Sequence, residues 1–350
     1  MTGSKPKGQH FVPRFLLDGF ASRRHRKESY AYLFRRGAPC HEVNIRDVGK
    51  SRYFHGDPCS SQLEAKLSSV ENRLAELVRR LISTGATLPE DSLPIAQLVT
   101  SCLVRTRNLR DAFGNTLRDM FTALEERVSD LSVRMLQGYA VEGLLSAIRE
   151  HPKTAREFFG LPRSQRERPM SVFVSQAASP DTREVISDHL QMITRTVKLE
   201  KISIDSHRAS LSKYAEFSDS DPESRVAIAK QLEWSVRFAD NVPYILGDMV
   251  VAGLGSGRST LQNPLVFDWP PDALCIPLSA QALLVGVRRG YDLRLDVEAV
   301  NLAAVELSRD FFVSSTATER EAAYADRIGV RAELMSRAEL AAMFRDPVSR

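Results

Sequence analysis

His10 and Arg14 are the first residues in the chain whose types and spacing suit chemistry, within GQHFVPRFLLDGFAS, residues 8–22. Histidine gives or takes a proton near neutral pH. Arginine holds a phosphate through two hydrogen bonds. Together they suit phosphodiester chemistry. Four residues apart, they share a face if the segment is helical, and Pro13 leaves that open. The other reading is an N-terminal segment whose His10 satisfies a buried backbone group.

Further on, Arg105 follows Cys102 by three residues and precedes Leu109 by four, within the apolar stripe of a helical pattern. A buried guanidinium needs an anionic partner; an arginine at the edge of such a stripe snorkels to water instead. Glu64 and Glu71 lie seven apart, on one side of an earlier helix. Glu71 stands about 40° from Leu67 at 100° per residue, so both border the apolar face. Such carboxylates either meet Arg105 or a divalent metal, or are ordinary helix-surface charges. Asp248 lies between the apolar runs YIL and MVV, as a turn residue or as a binding group at a strand end.

The elements that must position these residues follow from pattern. AYLFRRGAPCHEVNI reads as a β-hairpin. A helix starts near Ser60 or Ser61, carries an apolar stripe to Leu81 and closes at Gly85. A second opens near LPEDSLPIAQL, with a stripe from Ile95 to Met120. Helical pattern then runs to Pro152, GLPRSQRERPMS reads as a charged connector, residues 182–201 return to helix, and FSDSDPESR is a linker. From Leu232 short apolar runs between turn residues read as strands, followed by the helix DVEAVNLAAVELSRD, the strand FFVSS and a last helix, SRAELAAMFRD. The expected class is α+β: a helix-rich middle and a small, mostly antiparallel sheet built from the N-terminal hairpin and C-terminal strands. Residues 1–8 are polar and loose, 9–315 form one domain (9–58 hairpin region, 60–201 helical, 232–315 strand-rich), and 316–350 are an extension.

Several chemistries find no support. Cys40, Cys59, Cys102 and Cys275 are far apart without CxxC spacing, so neither a paired zinc site nor disulfides are expected. The seven histidines are dispersed, and there is no HExxH and no P-loop lysine. The glycines of VVAGLGSGRST are followed by Asn263-Pro264 and LVFDWPP, which is no helix, so they mark a turn instead of a dinucleotide loop. The cofactor is therefore unknown, and no metal ligands are assigned. The start lacks an apolar signal region, and no run approaches the length of a membrane span, which points to a cytoplasmic chain. Self-association stays open. Residues 1–60 hold twelve Lys/Arg against five Asp/Glu, while the chain as a whole is only +4. That basic segment makes nucleic acid the candidate partner, with a solvated basic face as the alternative.

QHFVPRFLLDGFAS also resembles the opening signature of a large microbial family, domain of unknown function 4238, which starts with His, an aromatic, Val, Pro, Arg or Gln, an aromatic and Leu. LEAKLSSVENRLAELV is similar to its Glu-bearing helix, LVTSCLVRTRNLRD to its Arg-Thr helix and CIPLSAQALLV to its Pro-Leu-Ser strand. VNLAAVELSRDFFVSS is similar to its Asn-bearing helix, and this resemblance adds Asn301 to the candidate substrate-binding residues beside Arg14 and Arg105. PYILGDMVV departs from the family, with Gly247, Met249 and Val250 where Ser and Asn/Thr-Pro flank Asp248. The resemblance implies no reaction. The expectation from the residues is a nuclease-like phosphodiesterase acting on RNA or DNA, in a toxin or phage-defence setting, with His10, Glu71 and Asp248 catalytic. The alternative is a non-catalytic nucleic-acid or protein interaction module in which the same residues form a buried structural network.

Overall fold

A computed structural model describes residues 8–52, 54, 61–110, 133–177, 224–266 and 269–333, with positions 122, 184, 188, 192, 205 and 209. The helix expected over 182–201 and the last helix lie outside the described stretches, as does the linker FSDSDPESR apart from Ser224 and Arg225. The chain divides into two compact units, Met1–Gly114 with Glu200–Met335 and Asn115–Leu199 with Ser336–Arg350. This differs from the single domain expected over 9–315, because the helical middle packs on itself.

In the first unit, β1 (Gly8–His10) leads through Pro13 into α1 (Arg14–Leu17), and β2 (Arg23–His25) precedes the hairpin of β3 (Glu28–Arg35) and β4 (Ala38–Asn44). The hairpin turns at Arg36-Gly37, where Gly37 has φ 68°, a conformation glycine adopts freely. Pairing runs from Tyr30↔Asn44 to Arg35↔Ala38 with a register shift after Leu33. After β5 (Lys50–Arg52) come α2 (Ser61–Thr84) and α3 (Ser92–Val104). Gly85, at φ 64°, closes α2 by donating to the Leu81 carbonyl at 2.9 Å. Helix α3 stops earlier than its apolar stripe does. Thr106 caps a new helical segment by accepting from Leu109 N at 3.2 Å, and this places Arg105 at the break instead of inside a continuous helix.

The rest of this unit is α7 (Arg225–Lys230), β6 (Glu233–Phe238), β7 (Leu246–Gly247), β8 (Ala252–Leu254), β9 (Ala273–Pro277), β10 (Ala282–Val287), α8 (Val297–Glu306), β11 (Phe312–Ser314) and α9 (Glu319–Ala325); α4 (Val133–Glu150), α5 (Pro152–Gly160) and α6 (Arg163–Ala177) belong to the second unit. Among the described residues three antiparallel sheets form where one was expected. The N-terminal hairpin does join C-terminal strands: β11 pairs β3 and β7, and β2 lies at the edge. A second sheet, β6-β10-β9-β8, is separate. Its strands β8 and β9 are buried along their whole length and β10 nearly so, so they need cover on both faces, which a one-sided hairpin sheet does not give. The third sheet is the pair β1–β5.

Within the second unit, α4 packs on both α5 and α6. Helix α6 occupies the segment read as a connector. Its charged residues are good helix formers, Pro162 starts the turn by accepting from Gln165 N at 2.9 Å, and Arg163 pairs with Glu167 at 2.7 Å. The residues after 315 also do more than extend the chain: α9 contributes Tyr324 and Ala325, and Ile328 follows, to a small core around the stacked rings of Phe34 and Phe312, 4.6 Å apart. No described helix is long and apolar enough to cross a membrane.

Helix α8 lies directly on β7. A Cβ at Gly247 would land on the Ala304 carbonyl and the Ser308 hydroxyl. This explains why glycine stands where the resemblance places serine. Gly247→Ala is expected to destabilise the chain by about 1–3 kcal/mol, since backbone must move to make room; unchanged urea unfolding would show that α8 slides freely.

Candidate functional site

Strand β1 positions His10 opposite Lys50 of β5. The following backbone N–H groups of Phe11 and Val12 both donate to the Gly49 carbonyl, at 2.7 and 3.3 Å. Leu16, Leu17 and Phe20 are fully buried, so the opening segment docks on the core as its apolar spacing implies. His10 is in a strand and Arg14 in a helix, however. The strand–proline–helix turn brings them near each other, not a shared helical face.

His10 is half-buried, and its Nε2 lies 3.2 Å from the Arg46 carbonyl. A carbonyl only accepts, so in the neutral ring Nε2 carries the hydrogen and Nδ1 keeps the lone pair. Burial is the largest cause of a pKa held below 6.5. The positive charges of Lys50 and Arg14 push the same way, and the Arg46 carbonyl and Glu71 oppose them. His10 is therefore neutral at pH 7, with Glu71, Arg14 and Lys50 all within its electrostatic reach.

Glu71 lies on α2 and forms an ion pair with Arg105. The Arg105 side chain is 2% exposed and that of Glu71 39%. Arg105 Nε is buried without a hydrogen-bond partner. The pair thus has a dry end and a wet end, and the wet end carries the carboxylate that acts on His10. Below this runs a ladder of buried rings. Phe11 stands 5.1 Å from Phe54 and 6.2 Å from Phe311. Arg110 lies over Phe54 at 5.1 Å and Arg35 over Phe311 at 5.9 Å. The side chain of Glu64 lies outside the described residues.

Asp248 and Asn301 are engaged with the chain's own backbone. Asp248 Oδ1 accepts from Arg309 N at 2.8 Å and Oδ2 from Asp310 N at 2.7 Å. Asn301 Oδ1 accepts from Ile245 N at 3.1 Å, and its Nδ2 donates to the Pro243 carbonyl at 2.9 Å. They clamp the two approaches to β7. The structure thus gathers His10, Arg14, Glu71 and Arg105, and gives Asp248 and Asn301 separate bonding roles. Arg46 and Lys50, which also shape the His10 environment, were not singled out from sequence. Their only signal there was the positive charge of the first 60 residues, because strand pairing across 40 residues leaves no local pattern. Among the described residues no group of three or more His, Cys, Asp or Glu side chains is placed to hold a metal.

The match that decides the family covers His10, Arg14, Glu71 and Arg105 together. Residues 8–301 fit the family model described as Protein of unknown function (DUF4238). The chain belongs to this family. No curated protein and no solved structure matches it. The matched stretch of this DUF4238 chain begins with β1 and ends at Asn301. Every gathered residue lies inside it, while β11, which joins β3 to β7, lies beyond.

Burial pushes the Asp248 carboxyl up to about 6, against the opposing backbone hydrogen bonds. Because the folded value exceeds the unfolded one, the native state binds more protons between pH 3.8 and about 6, and this contribution to stability falls as pH rises through that window. Asp248→Ala leaves the Arg309 and Asp310 N–H groups without acceptors, at about 1–3 kcal/mol each, but also removes the buried charge. The net loss is expected to be about 2–3 kcal/mol at pH 5 and about 1 kcal/mol less at pH 7. Urea unfolding at the two pH values measures this; an equal loss at both would mean that Asp248 is not desolvated.

Proposed function

We propose that the chain is a nuclease-like phosphodiesterase acting on RNA or DNA. The observation that carries the reading is a half-buried His10 whose Nε2 faces the Arg46 carbonyl, which leaves Nδ1 as the basic nitrogen, within electrostatic reach of the Glu71 carboxylate and the exposed Arg14. Arg14 holds a non-bridging phosphate oxygen through charge-assisted hydrogen bonds. His10 Nδ1 takes the proton of the attacking water. The water oxygen bonds to phosphorus as the bond to the leaving oxygen breaks, and the proton on Nδ1 passes to that oxygen. Arg105 is too buried to meet substrate and instead fixes Glu71, which raises the basicity of His10. Asp248 and Asn301 keep β7 and the residues after α8 in place. The test is incubation of purified protein with RNA and with DNA, with and without divalent metal. Cleavage lost in His10→Ala supports the reading; no cleavage under any condition, or cleavage that survives His10→Ala, overturns it.

The internal bonding of Arg105, Asp248 and Asn301 favours a second reading, a non-catalytic interaction module with a structural polar network. Under it, His10→Ala lowers the melting temperature and leaves nucleic-acid binding unchanged.

A further inference from the structure

We infer that the β2–β3 turn, residues 23–27, is a phosphate-backbone track for nucleic acid. This rests on the nucleic-acid part of the reading above and not on catalysis. All five residues, Arg23, Arg24, His25, Arg26 and Lys27, are exposed, on the edge strand of their sheet and its turn. Two nearby carboxylates, Glu42 and Glu28, are already engaged. Glu42 accepts from Ser22 and Arg23, both at 2.8 Å, and Glu28 accepts from Tyr30 at 2.8 Å and faces Arg46 at 3.7 Å. Arg24 donates to the Asp18 carbonyl at 3.3 Å, and four cations, Arg23, Arg24, Arg26 and Lys27, outnumber the carboxylates of Asp18, Glu28 and Glu42, so the surface keeps a net positive field. Such a field draws a polyanion and orients it.

Arg26 strengthens the inference. His25 pairs Glu28, so Arg26 and Lys27 form a two-residue turn, and Arg26 sits at φ 55°. Glycine suits that position, and an arginine there is strained. The track is also continuous with the candidate site: Glu28 faces Arg46, whose carbonyl holds His10.

The test measures binding of a labelled single-stranded oligodeoxythymidine across a salt series, in the His10→Ala background so that cleavage does not interfere. Three neutralised contacts at a slope of about 0.7 each weaken binding about 100-fold at 0.1 M salt, relative to a 1 M reference, and flatten the salt dependence by about 2. R24Q/R26Q/K27Q is expected to show this, while the control R258Q/R289Q/R294Q, with the same charge change elsewhere in the unit, binds as the parent. R26G is expected to raise the melting temperature while weakening binding. Equal weakening in both triple variants, or unchanged binding in the turn variant, overturns the track alone. No binding by the parent protein overturns the track and the nucleic-acid reading together.

Discussion

His10→Ala is expected to lower phosphodiester cleavage by about 10²–10⁴-fold, the usual contribution of a positioned acid–base group, with little change in stability. The side chain bonds the Arg46 carbonyl, a contact worth about 1 kcal/mol. A loss of that size does not unfold a domain, so the fall in rate reports chemistry. His10→Gln sharpens the point. It restores a donor for the Arg46 carbonyl but no base, so it should recover the melting temperature and stay inactive. The pH profile gives an independent readout. The active form is the neutral ring, and burial holds its pKa below 6.5, so the rate should rise through a midpoint below 6.5 and then level off. Glu71→Ala removes a charge that raises this pKa, so the midpoint should move further down. A profile without that inflection would remove His10 from the role of base. The same depression has a stability consequence of defined sign: the unfolded chain binds the proton more readily, so this contribution to stability is lost as pH falls below 6.5.

Glu71→Ala is expected to destabilise the fold by about 2–3 kcal/mol, because it leaves the buried Arg105 guanidinium without its carboxylate. Breaking a fully buried ion pair typically costs about 3–5 kcal/mol. The lower figure applies because Glu71 is 39% exposed, so water screens the pair from that side. Removing the other partner should behave differently. Arg105→Met deletes the charge that had to be desolvated and keeps most of the apolar volume, so it should cost less than about 1.5 kcal/mol. The double variant should then be more stable than Glu71→Ala alone. Urea unfolding of the three proteins checks the order. A Glu71→Ala protein as stable as the parent would show that Arg105 finds water or another acceptor.

Much of this was legible in the sequence because it is local. The hairpin announced itself through apolar runs around Arg-Arg-Gly-Ala-Pro, α2 through its stripe and Gly85, and α8 through periodicity behind Asp296, which caps it by accepting from Ala299 N at 2.6 Å. The edge position of Glu71, the inward pull on Arg105 and the docking of the opening segment also follow from spacing. The break after Val104 was missed because Arg105 and Leu109 continue the stripe, and nothing but Thr106 marks the new start. Helix α6 is not legible from pattern, because proline and dense charge mark breakers as often as helix starts, and here Pro162 begins a helix.

The sequence by itself determined which residues carry charge, which faces are apolar, that Glu71 borders such a face and that Arg105 falls within an apolar stripe. Only the tertiary structure decided which of them meet. Periodicity encodes the direction of a side chain from its own element, whereas an ion pair across 34 residues or a strand pairing across 40 depends on how elements dock. Docking turned Glu71 and Arg105 into one pair and set Lys50 and the Arg46 carbonyl beside His10. It also used both oxygens of Asp248 and both polar atoms of Asn301 to tie backbone, since a buried polar group must bond to whatever the surrounding fold places within reach.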